Sequence, residues 1–315
     1  MKKNLRKFLK SIIDYLNRRY RLGYINSKKY MDGIDGWLSN PFPKSNYGVE
    51  YPYEVTVFAE LLDVLLDKYD ISMIQNNRLG YRNYFEKGYA TRFLLYYNFP
   101  SDCFPMLSWI KNYYLTNRNI GVSFDVGANA GIVSCFLGIY SKYVYAFEPT
   151  KKMIKKIYAN LDLNNISNVK VENCGCSDIE GYELFHDYGC ENSGHNSFIE
   201  QKNDIEIDSY ECKMITLDGY CEENNILTID ILKVDAEGYE PKILKGCQRL
   251  LKERRVRCIL FEISPEVNQD WDEEHDMVLA LKEMGYEFYD MNNQKIMGES
   301  LLEIDIHQDV AAILA

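Results

Sequence analysis

The stretch Ser123–Phe136, SFDVGANAGIVSCF, decides how the rest of the chain is read. The apolar residues leading to Asp125 form a buried strand, Gly127 to Gly131 a tight turn, and Ile132 to Tyr140 the helix that follows. A strand, a glycine turn and a helix in that order make a nucleotide-binding element. Glycines let the backbone approach a ligand without a Cβ in the way, and the helix start supplies unpaired N–H groups. Asn129 stands where a dinucleotide fingerprint carries its second glycine, the one that admits a pyrophosphate. NAD and FAD are therefore disfavoured, and an adenosine ligand without phosphates, S-adenosylmethionine (SAM), suits the turn better.

Working outward, the apolar run Tyr143 to Phe147 ends in Glu148, 23 positions after Asp125. A carboxylate at the end of a second strand, about 20 residues beyond a glycine turn, is placed to hold a ribose diol. Thr150 can cap a helix with an apolar face of Met153, Ile154, Ile157, Tyr158 and Leu161. Further strands are expected at Val169–Cys174, in YELFHDY and SYECKMITL, at Asp230–Ala236 and at Cys258–Ile263. Helices are expected at Tyr239–Glu253 and near Trp271–Met284. Tyr286–Met291 and Val310–Ala315 close the chain as an antiparallel edge hairpin. This alternation predicts an α/β fold with a Rossmann-like class I methyltransferase sheet over residues 119–315, mostly parallel with an antiparallel last strand.

Residues 1–118 read as a mainly helical N-terminal region, a candidate acceptor wall, lid or oligomer contact, with helices at Val55–Tyr69 and Phe104–Leu115. Residues 1–21 set an apolar stripe (Leu5, Phe8, Leu9, Ile12, Ile13, Leu16) against lysines and arginines. Such a helix suits an anionic membrane surface, its own domain or a second copy in a homo-oligomer.

Charge is unevenly spread. The net charge is −11, of which +7 falls in residues 1–120 and −18 in the remainder. An acidic catalytic half argues against nucleic acid as substrate. The sequence shows neither an apolar run long enough to span a membrane nor the apolar core of a signal peptide. Nine cysteines without a paired framework fit reduced thiols in the cytoplasm.

Strand-end carboxylates face one rim in such a sheet, here Asp125, Glu148, Asp235 and Glu262. Four on one rim repel one another unless a cationic ligand or hydrogen-bond donors offset them, and SAM carries a sulfonium and an ammonium. Methyl transfer to a hydroxyl also needs a group to take the acceptor's proton. Asp235 and Glu237 in KVDAEGYE, or His195 in ENSGHNSF, could do so. Magnesium is compatible with the carboxylates but required by no spacing, and no residue is assigned to a metal.

FDVGANAG, AFEP, NCGCSDIEG, the Asn196–Phe198 NSF segment, ITLDGY, DILKVDAEGYEPKILKG and ILFEI, in that order, resemble the FkbM family of SAM-dependent methyltransferases. The resemblance covers roughly residues 120 to 290. It implies an O-methyltransferase acting on hydroxyls of glycans or other natural products. It further implies that Asp125, Gly127, Ala128, Asn129 and Gly131 line SAM, that Glu148 holds its ribose and that Ser177 or Asp178 lies near the adenine. Asp235 and Glu237 would stand at the reaction centre. Cys174-Gly175-Cys176 departs from the small or aliphatic residues more usual there. A sugar hydroxyl on a surface-polysaccharide precursor is the favoured acceptor, and the 14% aromatic content is consistent with a sugar-binding wall. A small-molecule or lipid-linked acceptor at a membrane, or a SAM-binding partner protein without catalysis, are the alternatives.

Overall fold

A computed structural model describes residues 73–76, 82–85, 104–116, 118–188, 196–199, 208–263, 271–301 and 308–315. All of these fall in one compact unit, Ser72–Glu86 with Pro100–Ala315. The helices expected at 1–21 and Val55–Tyr69 lie outside the described residues, as does His195.

In chain order, a hairpin of β1 (Met73–Asn76) and β2 (Arg82–Phe85) precedes helix α1 (Phe104–Trp109), which continues as a π-turn over Ile110–Tyr114. The core then builds β3 (Ile120–Val126), α2 (Ile132–Tyr140), β4 (Ser141–Phe147), α3 (Lys151–Leu163) and β5 (Val169–Glu172). Next come β6 (Gly175–Cys176), β7 (Gly181–Asp187), β8 (Asp208–Ile215), α4 (Leu217–Glu223), β9 (Ile231–Val234), α5 (Glu240–Lys245) and α6 (Gln248–Lys252). The chain closes with β10 (Cys258–Ile263), α7 (Trp271–Glu283), β11 (Tyr286–Tyr289), β12 (Lys295–Ile296), α8 (Gly298–Leu301) and β13 (Gln308–Leu314).

The main sheet runs β12-β11-β13-β10-β9-β3-β4-β5, parallel from β10 through β5. β13 is antiparallel to both β10 and β11. The last strand is thus antiparallel as expected and pairs with β11, the hairpin lying toward that end of the sheet with β13 between β10 and β11 and the short β12 outside it. The central strands read ILKV and CILFEI and are buried along their whole length, as strands covered on both faces must be. Tyr220 of α4 meets Phe124 and Phe147 edge-on, with ring centroids 6.0 and 5.0 Å away. Each such fully buried ring is worth about 2–3 kcal/mol.

Two local differences from the sequence reading have physical causes. Tyr158 is exposed, and Asn160 takes its place on the buried face of α3 by donating to the Ala130 carbonyl at 2.8 Å. The single helix expected over 239–253 breaks at Gly246, where a Cβ would stand 1.9 Å from the Ser177 carbonyl oxygen. The strand-like segments between 175 and 215 form a separate sheet, β6-β8-β7.

At the end of the sheet away from the strand C-termini, Asp230 accepts from the N–H of Gly121 (2.7 Å) and Val122 (3.0 Å) and pairs with Arg257 at 2.9 Å. Tyr114 donates to the Asp230 carbonyl, and its ring stacks on Trp109. These contacts draw α1 into the same unit as the sheet, so the unit starts earlier than residue 119.

Candidate active site

Two turns meet at the C-terminal ends of β3 and β9. The first, after β3, takes its shape from residues able to adopt positive φ: Gly127 at 74°, Asn129 at 48° and Gly131 at 79°. A Cβ on Gly127 would lie 1.9 Å from the Asp235 carbonyl oxygen, and one on Gly131 would lie 3.0 Å from Ile157 Cα. The glycines are demanded by the neighbouring turn and by α3, not only by an approaching ligand.

Glu148, just past β4, is buried. Its two oxygens accept one N–H each, from Asn129 and from Thr150, both at 2.8 Å. Burial pushes its pKa up to about 7 against these two bonds. Thr150 occupies the N-cap of α3, but its side chain makes no capping bond. Asn173 ties the same corner together by donating to the Glu148 and Pro149 carbonyls.

The second turn, Asp235 to Tyr239, follows β9. Glu237 sits at φ 53° and Gly238 at 91°. Ser197 Oγ donates to the Glu237 carbonyl at 3.1 Å, Ala236 N–H donates to Glu240 Oε1 at 2.6 Å, and the Tyr239 ring packs 5.2 Å from Phe198. The NSF segment therefore docks against the acidic turn. Its preceding residue, His195, lies outside the described residues.

Lys233, in the centre of β9 and 2% exposed, joins the two turns, a role the sequence reading missed. Its Nζ lies 3.4 Å from Asp125 and 3.3 Å from Asp235, and it donates to the carbonyls of Val126 (3.2 Å) and Gly127 (2.9 Å). A lysine flanked on both sides by apolar residues in a wholly buried strand was the available signal: an ammonium there must be paired. Asp125 is fully buried between Lys233 and the hydroxyl of Ser134, while the Asp235 side chain keeps a quarter of its surface exposed. The repulsion expected among the rim carboxylates is thus partly offset from within, by Lys233 and by the two N–H groups on Glu148.

Asp125, Gly127, Ala128, Asn129, Gly131 and Glu148 are brought together, with Asp235 and Glu237 beside them. Ser177 and Asp178 lie against α5, Ser177 also reaching Tyr239 at the end of the acidic turn. Ser177 Oγ is 3.3 Å from the Tyr239 hydroxyl and Asp178 pairs with Lys245 at 3.0 Å, which holds its carboxyl below the usual range. Among the described residues no group of three or more His, Cys, Asp or Glu is disposed to hold a metal, and the described cysteines are free and buried. No described helix is long and apolar enough to cross a membrane.

A glycine turn after the first core strand, an oriented carboxylate after the second and a sheet with an inserted antiparallel strand define a class I SAM-dependent methyltransferase. The methyltransferase FkbM domain matches residues 125–288, a little over half of the chain, and the chain belongs to that family. Among solved structures it is similar to the methyltransferase FkbM of Methylobacillus flagellatus KT, at 14% identity over 92% of this chain and 71% of the other, with a TM-score of 0.40. It is also similar to an rRNA methylase from Streptococcus thermophilus (15%; 65% and 95%; 0.38). A methyltransferase-like protein from Streptococcus mutans in complex with S-adenosylhomocysteine (SAH) is a third (14%; 66% and 96%; 0.38). No curated protein matches the chain.

The residues present fit SAM. Glu148 is held with one N–H on each oxygen beside the left-handed Asn129, the environment in which a carboxylate accepts from a ribose diol. When bound, SAM supplies an electrophilic methyl group on a sulfonium.

Proposed function

We propose that the protein methylates a hydroxyl, that of a sugar in a glycan or polysaccharide precursor, in the cytoplasm. The observation that carries this reading is the position of Asp235. Its carbonyl packs on Gly127 of the cofactor turn while its partly exposed carboxylate stands at the rim, paired with Lys233. A base beside the cofactor turn is what an acceptor hydroxyl needs, because the oxygen must lose its proton as the methyl group arrives in line. Asp235 Oδ takes that proton, and Glu237, on the same turn, orients the acceptor. Asp125 and Lys233 fix the turns, and Glu148 holds the ribose. His195 is a second candidate for the proton, Ser177 or Asp178 for the adenine.

Tritiated-methyl transfer from SAM to a panel of sugars and oligosaccharides tests the reading. Asp235→Asn is expected to bind SAH within about threefold of wild type while turnover falls about a hundredfold or more. Unchanged turnover would remove Asp235 from the mechanism, and transfer only to non-sugar acceptors would remove the glycan.

The basic stripe of residues 1–21 favours one variant, a lipid-linked acceptor met at a membrane surface. Flotation with anionic liposomes, with and without residues 1–21, decides it. Equal binding by both forms ends that version, and sedimentation at equilibrium tests the homo-oligomer. A SAM-binding partner protein without catalysis is what SAH binding with no transfer to any acceptor would leave.

A further inference from the structure

Glu240, the first residue of α5, has no place in the mechanism above, yet it is 1% exposed and tied directly to the acidic turn. Oε1 accepts the Ala236 N–H at 2.6 Å, closing the turn that carries Asp235 and Glu237. Oε2 meets no hydrogen-bond donor among the described residues. Ionised, this carboxylate would leave one charged oxygen bare in the interior, a far larger cost than one unmade bond of a neutral acid.

Its surroundings add charges of the same sign. Paired residues in adjacent strands share a face, as do residues two apart in one strand. The registers Asp125–Lys233, Lys233–Leu260 and Glu262–Asp309 therefore place Asp125, Lys233, Glu262 and Asp309 on one face, which Asp235 continues. Glu262 and Asp235 are the charges that act on Glu240 most strongly. Helix α7, packed on α5, brings a further buried acid, Glu274. The described cations of β9 and α5 are engaged: Lys233 with Asp125 and Asp235, Lys242 with Glu183 and Tyr239, Lys245 with Asp178, while α7 carries His275 and Lys282. Burial, then Glu262, pushes the Glu240 pKa up to about 8.

We propose that Glu240 is a positioning residue that works as a neutral carboxylic acid, fixing the Asp235–Tyr239 turn through the Ala236 N–H without adding a negative charge behind it. The turn needs such a hold because Glu237 occupies a left-handed conformation that side chains other than glycine adopt at a cost. Its placement also sets the cofactor turn, since the Asp235 carbonyl fills the space a Cβ would take at Gly127. SAH affinity therefore reports on Glu240 without any acceptor.

The test compares wild type, Glu240→Gln and Glu240→Ala by SAH calorimetry, by thermal unfolding against pH and by infrared difference spectroscopy. Glu240→Gln keeps the acceptor oxygen and the neutral state, so it should bind SAH within about twofold of wild type, whereas Glu240→Ala should bind about tenfold more weakly. Because the folded pKa is raised from 4.5, wild type should lose stability as pH rises from 4.5 to about 8, and Glu240→Gln should lose less. Wild type should show a stronger protonated-carboxyl band at neutral pH than Glu240→Gln, in which only the part contributed by Glu148 and other buried acids remains. If Glu240→Gln binds as weakly as Glu240→Ala, if wild type and Glu240→Gln lose stability in parallel through that range, or if the band is as strong in Glu240→Gln as in wild type, the proposal falls. Should Glu240→Ala fail to fold, the wild-type and Glu240→Gln comparison and the band decide it. A wrong acceptor would leave all of these readouts unchanged.

Discussion

The two turns of the site achieve unusual backbone conformations by opposite means. After β3, residues suited to positive φ, Gly127, Asn129 and Gly131, create the shape themselves. After β9, a glutamate stands at φ 53° and is held from outside, by Ser197 on its carbonyl, by Glu240 on the preceding N–H and by the Tyr239–Phe198 packing. In the first turn every positive-φ position falls on Gly or Asn, whereas the second adds to Gly238 a glutamate whose left-handed backbone is held by tertiary contacts. Such imposed strain is commonly retained where a side chain must be aimed at a reacting group.

Lys233 is where the comparison breaks most completely, because it belongs to both turns. Lys233→Met would leave Asp125 buried without its cation and remove two bonds from the glycine turn. A loss of about 3–5 kcal/mol in unfolding free energy is expected, with SAH binding falling below detection. Adding Asp125→Asn should recover part of that stability, since the uncompensated charge is then gone. A loss under about 1 kcal/mol would show that the ammonium does not hold the turns.

Next in size, Gly127→Ala tests the preformed turn alone. The new Cβ overlaps the Asp235 carbonyl oxygen, and φ 74° disfavours any side chain, so about 3 kcal/mol should be lost. The acidic turn should shift with it, and SAH affinity should drop with stability. Full stability together with full affinity would mean that the two turns are independent.

The glycine turn also differs from the acidic one in how pH reaches it. If the ribose diol donates to Glu148 as proposed, SAH affinity should weaken by up to about tenfold for each pH unit below the raised value of about 7. Stability should move the other way. A carboxyl whose folded pKa is raised contributes stability that is present below 4.5 and lost as pH rises through about 7. Calorimetry and unfolding scans over the same pH series separate the two trends, and an affinity that is flat across pH 6 to 8 would detach Glu148 from the ribose.

This contrast also explains what could be read from the sequence. The bounds Ile132–Tyr140 and Cys258–Ile263 emerge as expected because glycine, apolar runs and their flanking residues are local signals. The antiparallel last strand was legible as a strand but not its insertion between β10 and β11, which is fixed by the register of Glu262 with Asp309 and of Tyr286 with Leu314. The placement of Asp235 and Glu237 at the end of β9 was legible, whereas the residues that hold them were not. Ser197 arrives from 40 residues away, and Lys233 resembles any polar residue alternating along a strand until both faces of the sheet are known to be covered.

The smallest effect is the sharpest test of imposed strain. Glu237→Gly removes the side chain at φ 53° and should relieve about 0.5–1 kcal/mol in the folded state, partly cancelled by the greater freedom of glycine in the unfolded chain. A net change in stability within about 0.5 kcal/mol is expected, with SAH affinity retained, because the backbone bonds from Ser197 and to Glu240 do not involve the Glu237 side chain. Turnover should nevertheless fall, since the carboxylate proposed to orient the acceptor is gone. A marked loss of stability would mean that the Glu237 side chain itself braces the turn, and unchanged turnover would mean that the strained conformation serves the backbone of the turn and not the chemistry.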